Sequence, residues 1–249
     1  VLLVDKPRRL SPVQAIERAR GLDPSLSRRR IGYAGRLDPL ADGLLVLLLD
    51  ERNKQAHEFN HLDKRYEVEV VFGVQTDSFD LLGLAEARAV VHDDGAFERA
   101  VRDLEGTREQ PYPRWSSVRV HGRPAFYWAH RGETPEGGWP SRVRTVRSVT
   151  VIEQGTVDGG ALVDGAIEDV RGVSGAFRQE ALIERWASLR GALAGRALPR
   201  ARLSVECSSG TFMRSLANSL GESLGTGACA TVIHRTRAGP FQLRDAMAL

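Results

Sequence analysis

Two stretches of this 249-residue chain carry side chains whose types and spacing could do chemistry. The first is Gly32-Tyr33-Ala34-Gly35-Arg36-Leu37-Asp38-Pro39-Leu40-Ala41-Asp42-Gly43. Its three glycines and its proline read as a loop, and the apolar run 44–49 that follows reads as a buried strand. A carboxylate placed there stands on a rigid base yet stays open to a ligand. Gly32 and Gly35 admit close approach of a second backbone. Pro39 keeps Asp38 extended, so its side chain is not absorbed into a helix. Asp38 could therefore attack a substrate covalently or stabilise developing positive charge. On local features alone, an Asp-Pro pair reads equally as a turn. The second stretch, His57-Glu58-Phe59-Asn60-His61, is formally an HExxH. On a helix it would set two His on one face with a Glu beside them, as in zinc hydrolases. It is discounted because a strand begins at Tyr66, so the helix must end at once, and no third ligand follows on a downstream helix. Asp77 and Asp80 could suggest magnesium, but two carboxylates without a phosphate loop read better as loop hydrogen bonding.

The elements around these residues follow from pattern. Residues 1–4 read as a short strand. Ser11-Pro12-Val13-Gln14 is a helix start, with a Ser cap, Pro at the first position and Gln three residues after the cap. That helix is expected to run to about Arg20 and stop at Gly21. Residues 66–72 alternate apolar and mostly acidic, the mark of a half-buried strand. Residues 76–80 read as a loop and 94–104 as a helix. Residues 106–138, rich in Arg, Pro and aromatics, read as a long excursion with a hairpin. Residues 143–153 and 161–170 are expected to be strands. Residues 179–194 form an amphipathic helix, with Leu182, Trp186, Leu189 and Leu193 on one stripe and Gly195 as its stop. Ala201, Leu203, Val205 and Cys207 alternate along another strand, and residues 208–211 lead into a helix through Leu220. No repeat, low-complexity run or linker divides the chain, so one mixed α+β domain over 1–249 is expected.

The bulk numbers bound the class. No apolar stretch approaches the roughly 20 residues of a membrane span, and the start is too short for a signal peptide. The chain does not begin with Met, so a trimmed or processed product is expected. Two distant cysteines without a CxxC argue against a disulfide framework or a cysteine zinc site, and a reducing, cytoplasmic setting is the simplest reading. Of the 35 basic residues 32 are Arg, and they gather in residues 6–36, 108–147 and 196–244. Arg pairs with phosphate through a planar fork and stacks on bases. Three such segments converging in the fold would make a phosphate-binding face. An Arg-biased composition spread over solvated surface explains the same counts.

The loop at 32–43 is similar to the signature loop of TruB-type pseudouridine synthases, which has an Asp followed by Pro-Leu-Ala and a Gly. Further segments resemble that family in the same order. They are Leu2-Leu3-Val4-Asp5-Lys6-Pro7; Lys64-Arg65-Tyr66 with Gly73 and Thr76-Asp77-Ser78-Phe79-Asp80; Gly106-Thr107 through Gln110, Trp115-Ser116 and Arg131-Gly132; and Val205 through Leu216, then Gly225, Gly227 and Arg235-Thr236. The resemblance spans nearly the whole chain. It implies a mixed, largely antiparallel sheet flanked by helices, a cleft across its middle, and an inserted Arg-rich arm at about 106–138 that contacts RNA. Many bacterial relatives carry a further small RNA-binding domain at the C-terminus, and residues 1–249 are expected to lack it.

The activity implied is conversion of the T-loop uridine of tRNA to pseudouridine. The bond from ribose C1′ to uracil N1 breaks, the base turns, and C1′ is rejoined to C5. No redox step or group transfer occurs, so no cofactor is implied, and neither a membrane nor a protein partner is required. By the resemblance, Asp38 is the catalytic carboxylate, Tyr66 lies near the uracil as a base, and Arg214 forms an ion pair with Asp38. Read from its helix alone, Arg214 would be a surface residue, with Phe212, Leu216 and Leu220 on the packed stripe. The resemblance nominates Tyr33, Gly35, Arg36, Leu37, Phe212 and Ile233 for the substrate pocket, and Lys6, Arg36, Lys54, Arg119 and Arg235 for the RNA backbone. Four positions depart from the family's usual residues: Tyr33 for His, Arg119 for Lys, Ile233 for Leu and His234 for Arg. An RNA-folding factor with the same fold and little catalysis is the alternative.

Overall fold

The computed structural model describes residues 1–90 and 94–249. Strand β1 (Leu2–Lys6) leads into helix α1 (Pro12–Leu22). The expected capping box is present: the Ser11 hydroxyl accepts from the Gln14 N–H, and the Gln14 side chain accepts from the Ser11 N–H. The helix continues through Gly21 instead of stopping there, and ends where the Asp23 N–H donates to the Ala19 carbonyl. Strands β2 (Ile31–Ala34) and β3 (Ala41–Leu49) pair antiparallel. The stretch read as loop from 32 to 43 is therefore loop only between them. Ladder hydrogen bonds to β3 override the weak strand propensity of Gly32. At the turn, Gly35 has φ 66°, which a residue without Cβ adopts freely.

Helix α2 (Ala56–Asn60) precedes β4 (Lys64–Phe72), where Tyr66, Val68 and Val70 are buried as the alternation requires. Strands β5 (Val74–Thr76) and β6 (Ala85–Ala87) form a small hairpin that carries the loop with Asp77 and Asp80, and α3 (Asp94–Asp103) follows. Of the stretch 106–138 expected as an excursion, β7 (Gly106–Pro111) pairs antiparallel with residues 141–146 and so belongs to the main sheet, because backbone pairing captures its edge; only the short hairpin β8 (Arg119–Val120) and β9 (Arg123–Pro124) and α4 (Ala125–His130) stand outside it as an arm.

Strand β10 (Ser141–Asp158) is followed by α5 (Gly159–Gly172), α6 (Gln179–Ser188), α7 (Arg190–Leu193) and then β11 (Ala197–Cys207). The strand expected at 161–170 is thus the helix α5. Its buried residues Leu162, Val163, Ala166, Ile167 and Val170 fall on a single helical stripe. Asp158 starts the helix by accepting from the Ala161 N–H at 2.9 Å. Periodicity separates strand from helix poorly in a short, largely apolar run. The helix expected at 179–194 is broken at Leu189, yet Leu182, Trp186, Leu189 and Leu193 all face inward. Helix α8 (Met213–Ser223), β12 (Ala228–Ala238), β13 (Phe241–Gln242) and β14 (Met247–Ala248) complete the chain.

One ten-stranded sheet runs β14-β1-β3-β12-β4-β11-β10-β7, with β2 added on β3 and β13 on β12. The pairs β1–β14 and β3–β12 are parallel and the other pairs of this sheet are antiparallel. This is the mixed, largely antiparallel α+β fold expected. Two apolar layers matter for the site. One packs Val68, Val70, Leu203 and Val205 of the sheet against Ala15, Phe97, Leu216 and Leu220 of α1, α3 and α8. The other packs Val163, Leu182 and Trp186 of α5 and α6 under Leu40, Leu81 and Leu82. The loops bearing Asp38 and Asp80 therefore rest on the helices inserted between β10 and β11.

Candidate active site

Asp38 lies in the loop between β2 and β3, next to the parallel junction of β3 with β12. Arg214, at the start of α8, donates from Nε to Asp38 Oδ2 at 2.9 Å, and the same nitrogen lies 3.5 Å from Asp80 Oδ2. Its Nη1 donates to the carbonyls of Ser78 at 2.9 Å and Trp115 at 3.3 Å. Arg214 is only 3% exposed, so it is not the surface residue its helix position alone suggested. Phe212 sits before the helix, not on its packed stripe, and is tied to β7: its N–H donates to Gln110 Oε1 at 2.8 Å and its carbonyl accepts from Gln110 Nε2 at 3.1 Å. The Asp38 side chain keeps 31% exposure and faces open space.

Asp80 is the buried member of the group. Its carboxylate accepts from the Ser78 hydroxyl at 2.6 Å and the Leu82 N–H at 3.0 Å. Burial pushes its carboxyl upward from the ordinary value, against the pull of Arg214. Burial likewise opposes the charge on Arg214, but Asp38 and Asp80 outweigh it and raise the guanidinium.

Two cavities meet at Asp38. The smaller, about 470 Å³, is lined by Gly35, Leu37, Tyr66, Phe212, Ile233 and Arg235 among others. The larger, about 680 Å³, is lined by Trp115, Phe126 and Tyr127 of the arm and by Phe177 and Arg178 from the link between α5 and α6. Arg36, Asp38, Ser116, Ser117 and Arg214 border both. Each volume lies in the range of small-ligand sites. The structure thus brings Asp38, Tyr66 and Arg214 together with Gly35, Arg36, Leu37, Phe212 and Ile233. Burial raises the Tyr66 phenol above its ordinary value, and the adjacent Arg235 guanidinium opposes that shift.

Other nominated residues are placed differently. Lys6 is fully buried, its Nζ donating to the carbonyls of Pro7 at 2.9 Å and Leu10 at 2.7 Å. Burial lowers its ammonium to about 8. It braces the chain after β1 and cannot touch an RNA backbone. Arg235 is 1% exposed and donates from Nε to the Leu44 carbonyl at 2.7 Å. Pairing of β12 with β3 beside Gly43 draws its side chain under the loop, so it is an inner wall of the pocket and not a phosphate contact. Tyr33 is half-buried on the core beside β3, accepts weakly from Arg36 Nη1 at 3.4 Å, and does not line either cavity. Lys54 and Arg119 are exposed outside the cavity walls; Lys54 pairs with Glu51, and Arg119 donates to the Gly122 carbonyl at 2.7 Å.

Three features escaped sequence reasoning. Asp80 is a loop acceptor, as its local sequence predicts, but its second role beside Arg214 depends on a contact made across the fold. Lys64 is 3% exposed and lines the smaller cavity, with its ammonium lowered by burial to about 8. Arg178 stacks 3.3 Å over the Trp115 ring and pairs with Asp77 at 2.8 Å. It is presented by the link between α5 and α6, which a strand at 161–170 would not form. The HExxH segment holds only a five-residue helix, and His61 Nδ1 lies 2.6 Å from the His57 carbonyl. No group of three or more His, Cys, Asp or Glu is placed to hold a metal among the described residues. Asn60 of that segment instead accepts the Gly35 N–H at 2.7 Å and so supports the Asp38 loop.

The family model for TruB family pseudouridylate synthase (N terminal domain) matches residues 24–159. The tRNA pseudouridine synthase B of Aromatoleum aromaticum is 34% identical over 252 residues, covering 100% of this chain and 66% of that protein. Those of Cupriavidus taiwanensis and Burkholderia mallei are 34% and 33% identical over 250 residues, covering 100% of this chain and 65% and 67% of theirs. The chain therefore spans about two thirds of the length of these relatives. Among solved structures, a chain of a Cbf5-Nop10-Gar1 complex superimposes with TM-score 0.62 at 18% identity, covering 100% of this chain and 51% of that one. A chain of an H/ACA RNP bound to a substrate RNA containing 2′-deoxyuridine superimposes with TM-score 0.58 at 17% identity, covering 99% and 50%. At such identities the shared property is the fold.

Proposed function

Because this chain belongs to the TruB family of pseudouridylate synthases, we propose that it isomerises uridine to pseudouridine in tRNA, at the T-loop uridine. The observation that carries the reading is the Asp38 carboxylate, held by Arg214 at 2.9 Å where two cavities meet and with Tyr66 in the wall. The target uridine leaves its stack, which costs a few kcal/mol, and enters the cavity walled by Tyr66, Phe212 and Ile233. Asp38 engages the sugar as the C1′–N1 bond breaks. The base turns, C1′ joins C5, the C5 proton leaves, and N1 takes up a proton. Every atom of the product comes from the uridine and solvent protons, so the reaction calls for no cofactor.

Tyr66 is the acceptor nominated for the proton. To take the proton its phenol must first ionise, which burial opposes and the adjacent Arg235 guanidinium favours, and its position in the pocket wall supplies the reach. The exposed Arg36 at the cavity mouth and Arg119 on the arm suit phosphate contacts, as does Lys54 at the surface. The arm, the single catalytic domain and the absence of a required protein partner belong to the same reading. No helix among the described residues is long and apolar enough to cross a membrane, and a cytoplasmic setting fits a tRNA substrate.

The test is tritium release from tRNA carrying uracil labelled at C5, together with mapping of pseudouridine in tRNA from cells lacking this protein. Release by the purified chain and loss of one T-loop pseudouridine are expected. RNA binding without release would favour the RNA-folding factor.

A further inference from the structure

The two residues after Asp38 are gripped from outside their loop. The Arg9 N–H donates to the Pro39 carbonyl at 2.8 Å, and Arg8 Nη1 donates to the Leu40 carbonyl at 2.8 Å. Both arginines are tied to Asp169 on α5. Arg8 Nε lies 3.1 Å from each Asp169 oxygen, Arg8 Nη2 lies 2.6 Å from Oδ2, and Arg9 Nε lies 3.0 Å from Oδ1. Arg8 Nη2 also reaches the Thr231 carbonyl on β12 at 2.8 Å. The Asp169 side chain is 9% exposed, so water competes little for it.

Simple adhesion does not call for this arrangement. Arg9 has φ 73°, a left-handed conformation disfavoured for any residue with a Cβ. A Cβ on Gly172 would run into the Arg9 side chain, so α5 is shaped to admit it. Apolar residues of similar volume commonly hold two elements together as well as a desolvated ion group does. A guanidinium fork adds direction, because its donors fix the angles of their acceptors.

We infer that Asp169, acting through Arg8 and Arg9, is a positioning residue for the Asp38 carboxylate. Arg214 holds the carboxylate from the α8 side, and the Asp169 group holds the backbone of residues 39 and 40 from the α5 side. The inference rests on the isomerase reading above. A carboxylate that drifts by about 1 Å can lose about 100-fold in rate.

The test uses the full chain with Asp169→Asn, and Arg8→Lys as a second variant. Asparagine keeps the shape without the charge, and lysine keeps the charge without the fork. Amide hydrogen exchange over residues 5–10 and 36–44 reads the clamp directly. Single-turnover pseudouridine formation on a T-arm RNA, at excess enzyme, reads its consequence as a rate constant and an amplitude. Faster exchange in those two peptides is expected, with α8 unchanged. The rate constant should fall by about 10- to 100-fold at full amplitude, with RNA affinity retained and Asp169→Glu restoring part of the rate. A lower amplitude at an unchanged rate constant would mean a merely structural role and would overturn the inference. Unchanged exchange at 36–44 would overturn it whatever the activity. A parent chain that forms no pseudouridine would overturn the isomerase reading instead, with exchange still judging the clamp. If Asp169→Asn does not fold, Arg8→Lys gives the same readings.

Discussion

The Nε of Arg214 donates to Oδ2 of Asp38 at 2.9 Å, joining residues 176 positions apart in the chain. The two ends of the sequence must therefore fold together before the candidate site exists. The same nitrogen lies 3.5 Å from Asp80 Oδ2, so one buried cation serves an open carboxylate and a closed one.

The open carboxylate is the one free to meet a substrate. Asp38→Ala should abolish pseudouridine formation and leave tRNA affinity nearly intact, because the pocket walls and the exposed Arg36 at the cavity mouth remain. Rate and affinity measured on the same preparation check this. Affinity falling in parallel with rate would count against a chemical role.

The closed carboxylate makes Arg214 a stability determinant as well. Arg214→Leu leaves Asp80 buried without its counter-charge, which should cost about 3–5 kcal/mol. Urea unfolding reads it as a lower midpoint. Arg214→Lys should recover part of that stability but little of the activity, since an ammonium cannot reproduce the directions of the fork.

Exposure separates two residues that the sequence placed in one class. Arg36 borders both cavities and is exposed, so Arg36→Ala should weaken tRNA binding and reduce the salt dependence by about one phosphate contact. Lys6→Met should leave the salt dependence unchanged. It strips the Pro7 and Leu10 carbonyls of their donor and should destabilise the chain by about 1–3 kcal/mol for each group left unsatisfied. Binding titrations at several salt concentrations, with unfolding curves, distinguish the two.

His234 gives a pH signature. Its Nδ1 lies 2.6 Å from Asp42 Oδ1, and that hydrogen bond raises the imidazole above its ordinary value of 6.5. A group with a raised folded value stabilises most below its unfolded value. This contribution should be complete below about pH 6.5 and vanish as pH rises through the folded value. Asp42→Asn should bring the NMR titration of His234 back toward 6.5. The stability difference between the parent and this variant should be largest in mild acid and shrink in alkali. A constant difference would show that the pair acts without titrating.

Much of this protein was readable from its sequence because the signals are local. The capping box at Ser11 and Gln14, the alternation through Tyr66, Val68 and Val70, and the stripe of Leu182, Trp186, Leu189 and Leu193 each depend on neighbours a few positions away. The loop around Asp38 was legible for the same reason, and its resemblance to one family named the trio it would need. The folded structure alone decided burial and partnership. Lys6 and Arg36 look alike as basic residues near the start of the chain, yet one is sealed under its own backbone and the other faces open space. Arg235 became an inner wall through the parallel pairing of β12 with β3, and residues 161–170 became a helix because its apolar stripe found Leu40, Leu81 and Leu82 to cover. Periodicity records which side of an element is apolar. Which distant surface meets that side, and which charges are desolvated when it does, is set by long-range packing that no short window of sequence contains.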